Sequence, residues 1–119
     1  MKNAEYLKQN GFAIDSVIEL FGGMEMYDEI LTDFYSYGVE RTNDLISYQQ
    51  TGDMKNYTIL VHTMKSECKY LGINYLASLC EMHQLKSEAN DVEYINSTFN
   101  DLLREFSRVL NIIGKYLGK

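Results

Sequence analysis

The sequence predicts an all-α fold: an antiparallel up-down-up-down four-helix bundle preceded by a short N-terminal helix. Three observations carry this expectation. Apolar residues recur in steps of three and four through four long segments. Links of a few residues separate these segments, short enough to make consecutive helices antiparallel neighbours. No stretch of comparable length alternates as a strand does, and proline is absent, so helices can run long without kinks.

The opening ten residues are polar, with Ala4, Tyr6 and Leu7 as anchors, and Asn10-Gly11 is a break. Asp15 or Ser16 can cap a short helix through Val17, Ile18, Leu20 and Phe21, which Gly22-Gly23 ends. A long helix is expected from Met24 to Gln50, with Tyr27, Ile30, Leu31, Phe34, Tyr37, Gly38, Leu45 and Ile46 on its core face. Arg41 interrupts that face, and Gly38 marks a close crossing with another helix rather than an end. Gly52 closes this helix and Asp53 caps the next, which runs from Met54 to Tyr70 and stops at Gly72. Asn74 is a candidate cap for the fourth segment, which turns Leu76, Leu79, Cys80, His83 and Leu85 inward. Ala89-Asn90-Asp91 is a loop, and a last helix from Val92 carries Tyr94, Ile95, Phe99, Leu102, Leu103, Phe106, Val109, Leu110, Ile113 and Tyr116-Leu117.

The 119 residues fit one domain, 1–119. A net charge of -6 argues against nucleic acid as a partner over the whole surface. No apolar run approaches the ~18 residues of a membrane span, and the opening residues lack the apolar core of a signal peptide. Cys68 and Cys80 fall at apolar-phased positions and read as free buried thiols in a reducing, cytoplasmic setting.

The second long segment, Met54 to Tyr70, carries the feature that calls for a reason. Its seam is Met54, Tyr57, Val61, Met64, Cys68 and Leu71. At about 100° per residue, His62 lies roughly 120° round from the centre of that seam. Lys55, Thr58, Lys65, Ser66 and Lys69 fall within about 60° of it. An exposed imidazole thus stands among three amines and two hydroxyls in an acidic chain.

Three readings of this face compete. As a phosphoryl acceptor, a neutral imidazole is a good nucleophile, and neighbouring amines offset the charge of a phosphohistidine. As a metal site, His62 would join Cys68, Cys80 and His83, but Cys68 lies on the seam and His62 on the outer face, so one ion can hardly use both; no metal is expected. As a plain surface residue, His62 would belong to a structural or adaptor bundle. His83, near the core edge, reads as a packing histidine with its hydrogen bonds satisfied.

His62, Lys65, Ser66, Gly72 and Leu76 fall at the positions of a known motif: histidine, lysine three on, usually a glycine four on, glycine ten on and leucine fourteen on. With Phe21-Gly22-Gly23, Tyr27, Leu31, Phe34 and Gly52-Asp53, the chain from about Gly11 onwards resembles the histidine-containing phosphotransfer (HPt) domains of bacterial multistep phosphorelays. Ser66 stands where that family usually has glycine, Met64 where it has leucine, and His83 where it often has glutamate. The resemblance implies His62 as phosphoacceptor, assisted by Lys65 and Ser66, with Lys55, Thr58, Lys69 and Gly72 at the docking face. It implies receiver domains of response regulators and a hybrid sensor histidine kinase as partners. The magnesium ion belongs to the receiver, so the chain itself needs no cofactor. No Gly-rich nucleotide loop is present, so direct use of ATP is not expected. The chain is then a covalent carrier rather than an enzyme in its own right, and its exposed acceptor favours a monomer.

Overall fold

The computed structural model describes residues 3–119; Met1 and Lys2, the start of the expected domain, lie outside them. Among the described residues every regular element is helical. In order they are α1 (Ala4–Gln9), two 3-10 turns (Ile14–Ser16 and Ile18–Phe21), α2 (Met24–Ser36), α3 (Gly38–Thr51), α4 (Met54–Leu71), α5 (Asn74–Glu88) and α6 (Val92–Leu117). The helices form a bundle of 41 × 25 × 20 Å. At 1.5 Å per residue α6 is about 39 Å long and runs the length of it, touching α1, α2, α3 and α5. Among the described residues no helix is long and apolar enough to cross a membrane.

All six seam residues of α4 are buried. They pack into a core that includes Tyr27, Leu31, Phe34, Leu45, Leu76, Cys80, Ile95, Phe106 and Val109. Asp53 caps α4 by accepting from the backbone N–H of Asn56 at 3.1 Å, and Asp91 caps α6 through Tyr94 at 3.1 Å. Such a cap contributes about 1 kcal/mol. Gly52 and Gly72 stop their helices in the left-handed region, at φ 70° and 77°. Beyond Gly72 the Ile73 N–H reaches back to the Cys68 carbonyl at 2.8 Å, which turns Ile73 inward. The hydroxyl of buried Tyr27 donates to the Leu71 carbonyl at 2.6 Å, pinning α2 to the same end of α4.

Four expectations need correction. The helix expected from Met24 to Gln50 is two helices, α2 and α3, meeting at Tyr37 (φ -86°, ψ -1°). Ser36 Oγ folds back on the Asp33 carbonyl at 2.8 Å, and the Tyr37 N–H···O bond to Asp33 stretches to 3.3 Å. A Ser/Gly pair is an ordinary place for such a bend. The close crossing at Gly38 is present: a Cβ there would stand 2.7 Å from Leu110 of α6. Second, the leading segment is α1 plus two 3-10 turns rather than one short helix, and neither Asp15 nor Ser16 caps through its side chain. Leu7 is fully buried, Asp15 pairs with Lys8 at 2.9 Å, and Ser16 Oγ bonds the Ala13 carbonyl. Third, Ile73 rather than Asn74 holds the capping position of α5, without a side-chain bond, because the turn at Gly72 has already brought it there. Fourth, two residues expected inward point outward: Tyr37, 48% exposed where the chain bends, and Leu85, 56% exposed.

Arg41, out of place on an apolar face, lies across to α4. It grips Glu67 with both guanidinium nitrogens and sits 5.0 Å over the Tyr37 ring.

Candidate functional site at the α4–α5 face

α4 packs more extensively against α5 than any other two helices pack together. Their side chains meet in rungs: Lys69 with Glu81, His62 with Gln84, Tyr57 with His83, and Thr58 with Ser87. The order reverses along the two helices, so α4 and α5 run antiparallel. Gln84 stands as far after Ile73 as His62 stands before it.

His62 is exposed near the middle of α4. Its Nδ1 lies 3.0 Å from Gln84 Oε1. An amide oxygen can only accept, so Nδ1 carries the proton. Nε2 has no hydrogen-bond partner among the described residues, and in a neutral imidazole with its proton on Nδ1 it is the nucleophilic atom.

The other candidate residues separate into three groups. Lys65, Ser66 and Lys69 share the face with His62. Lys65 is half-buried and has no ion-pair partner among the described residues. Ser66 is exposed, and its hydroxyl donates to the His62 backbone carbonyl at 3.1 Å, not to the imidazole. Lys69 reaches Glu81 at 3.5 Å with both side chains about half exposed, a pairing that solvent screens strongly. Lys55 is exposed at the first turn of α4, beside Asp53, whose carboxyl the Asn56 hydrogen bonds chiefly hold below its ordinary range. Thr58 turns towards α5, bonding the Met54 carbonyl at 2.8 Å and Ser87 Oγ at 2.6 Å. Gly72 is buried away from the face. A Cβ there would stand 2.7 Å from the Ala13 carbonyl oxygen, and the Ala13 N–H donates to the Gly72 carbonyl at 2.8 Å. Three apolar side chains are exposed on the same two helices: Ile59 and Tyr70 on α4, Leu85 on α5.

The four residues weighed as a metal set do not come together. Cys68 and Cys80 are fully buried. Burial pushes the Cys68 thiol well up and the Cys80 thiol up to about 12, so neither offers a thiolate. His83 is buried, with Nδ1 2.7 Å from the Tyr57 hydroxyl and Nε2 3.1 Å from Thr98 Oγ1. Thr98 gives its own proton to the Tyr94 carbonyl at 2.8 Å, so it accepts from His83 Nε2–H. Nδ1 then accepts from Tyr57. Burial drops the His83 pKa to about 4, and the ring is neutral at pH 7.

Gln84 is the residue that helical phasing alone misses. A signal was present: with Ile73 at the centre of a helical hairpin's turn, symmetry pairs position 84 with 62. No protein-family model, curated protein or solved structure matches this chain.

Proposed function

We propose that the chain is a histidine phosphotransfer module of a two-component phosphorelay, working in the cytoplasm as a monomer. It takes a phosphoryl group from a receiver-domain aspartate onto His62 and passes it to a second receiver; a hybrid sensor histidine kinase feeds the relay. In this reading the bundle is an antiparallel up-down-up-down four-helix arrangement, with α2 and α3 acting together as one bent helix. The observation that carries the reading is an exposed imidazole with its Nδ1 proton on Gln84, its Nε2 without a hydrogen-bond partner among the described residues, and Lys65 one turn away. The spacing of His62, Lys65, Gly72 and Leu76 points the same way.

The chemistry follows from that geometry. Nε2 attacks phosphorus in line, the N–P bond forms as the acyl phosphate P–O bond breaks, and the aspartate carboxylate leaves. The ring becomes positively charged, and the Nδ1–H···Oε1 bond to Gln84 strengthens with it. Lys65, without an ion-pair partner among the described residues, meets the phosphoryl oxygens. The reverse sequence loads the next receiver. Catalysis here is positioning and charge stabilisation. Ile59, Tyr70 and Leu85 supply apolar area for docking on the same two helices.

The test is a relay between two receivers. Label on the first should reach the second only when this chain is present, and His62→Gln should block it. Passage of label through His62→Gln at the wild-type rate would place the acceptor elsewhere. A chain that takes no label from any receiver would be a structural or adaptor bundle.

A further inference from the structure

α5 is held in two ways along its length. Its first half buries Leu76, Ala77 and Cys80, whereas the buried residues of its second half are His83 and Ser87. Met82 and Leu85, the apolar residues of that half, are exposed. Apolar contact is non-directional and sets a helix's rotation loosely; hydrogen bonds are directional and set it closely. Gln84 sits between the two buried polar residues. His83 bonds Tyr57 of α4 at 2.7 Å and Thr98 of α6 at 3.1 Å, while Ser87 bonds Thr58 of α4 at 2.6 Å. A rotation of α5 by about 20° would carry a side-chain tip about 2 Å, given a helix radius of 5–6 Å with side chains. That is enough to break the 3.0 Å bond between Gln84 and His62.

We propose that His83, tied to Tyr57 and Thr98, is a positioning residue for His62: the buried chain sets the rotation of α5 and so keeps Gln84 Oε1 on His62 Nδ1. The inference rests on reading His62 Nε2 as the phosphoryl acceptor. His83 touches no reacting atom and acts through its neighbour in sequence.

The direct readout is the ring-nitrogen NMR of His62 in the full chain without any partner, at a pH where the ring is neutral. The wild type should hold mainly the Nδ1–H form. Gln84→Ala gives the ratio of an unrestrained ring. Tyr57→Phe and Thr98→Val should each move the ratio of Nδ1–H to Nε2–H towards that limit by about fivefold, the worth of one hydrogen bond. His83→Gln, which can accept from Tyr57 and donate to Thr98, should keep more of the wild-type ratio than His83→Leu. Leu7→Val, a core change in α1, serves as the control for general loosening. In receiver assays Tyr57→Phe should lower the transfer rate with the half-saturating receiver concentration unchanged. The inference is overturned if Tyr57→Phe and Thr98→Val lower the melting temperature yet leave the ratio unmoved, or if Leu7→Val moves it as far. Should His83→Leu fail to fold, the Tyr57 and Thr98 variants decide alone. Failure of receivers to label His62 would contradict the acceptor reading and leave this ratio as measured.

Discussion

Gly72→Ala separates two roles that a glycine at this position can have. At φ 77° an alanine has to adopt the left-handed region, which costs about 1 kcal/mol. Its Cβ would also stand 2.7 Å from the backbone oxygen of Ala13, which cannot swing aside as a side chain can. The strand of chain between Phe12 and Ile14, both buried, has to shift, and the Ala13–Gly72 hydrogen bond of 2.8 Å weakens. A lost bond of this kind is worth about 1 kcal/mol. The sum is about 2–4 kcal/mol. Gly52 supplies the internal control: its φ is 70°, and nothing lies within 4 Å of its Cβ position. Gly52→Ala therefore carries the conformational cost alone, about 1 kcal/mol. At about 3–5 °C per kcal/mol for a domain of this size, thermal unfolding followed by circular dichroism should show drops of about 3–5 °C for Gly52→Ala and about 6–20 °C for Gly72→Ala. Urea midpoints should move in the same order at constant slope. Equal drops would refute the argument that Gly72 is needed for the close approach of the N-terminal segment.

Lys65→Ala should slow transfer to His62 by about 1–3 kcal/mol in the barrier without abolishing it, because the amine stabilises charge and makes no bond; Lys69→Ala, whose amine already faces Glu81, should cost less, and stopped-flow transfer kinetics compare the two. Ser66→Gly should transfer at least as fast as wild type with helix stability lower by about 0.5 kcal/mol, whereas Ser66→Phe should block receiver docking in a folded chain; full transfer by the phenylalanine variant would move docking off this face. His83 is neutral when folded, with its pKa lowered from 6.5 to about 4 by burial. Its contribution to stability is therefore complete above pH 6.5, falls as pH drops towards 4, and is lost below that, on the order of 3 kcal/mol in all. The difference in unfolding free energy between wild type and His83→Gln, followed from pH 7.5 to 3.5, should shrink across that window; a constant difference would contradict it.

Local rules read well where neighbours in sequence decide the outcome. The α4 seam, the stops at Gly52 and Gly72, and the cap at Asp53 depend on periodicity, on left-handed φ and on a short side chain beside free N–H groups. Gly38 belongs with them in part, since a missing Cβ signals close approach, although Leu110 as the neighbour was not legible. The bend at Ser36–Gly38 was missed because no proline marks it and the long apolar face continues across it. Spacing places Leu85 inward, but the second half of α5 buries the polar His83 and Ser87, so its apolar stripe is too weak there to fix a face. Arg41 read as an interruption because its partner Glu67 lies on another helix. Gln84 was missed for a similar reason, since the pairing of α4 with α5 is a tertiary fact that only hairpin symmetry hints at. Thr58 shows the limit of angular arguments: it shares an arc with His62 yet bonds across to Ser87.

The central claim is that His62 Nε2 carries phosphate. Incubation with a phosphorylated receiver domain, followed by phosphorus NMR and peptide mass spectrometry, reads the atom directly. The account predicts one acid-labile, base-stable phosphate, bonded to His62 through Nε2. It should be absent from His62→Gln, whose stability stays within about 0.5 kcal/mol of wild type. Phosphate on another residue, on Nδ1, or undiminished in His62→Gln would contradict it.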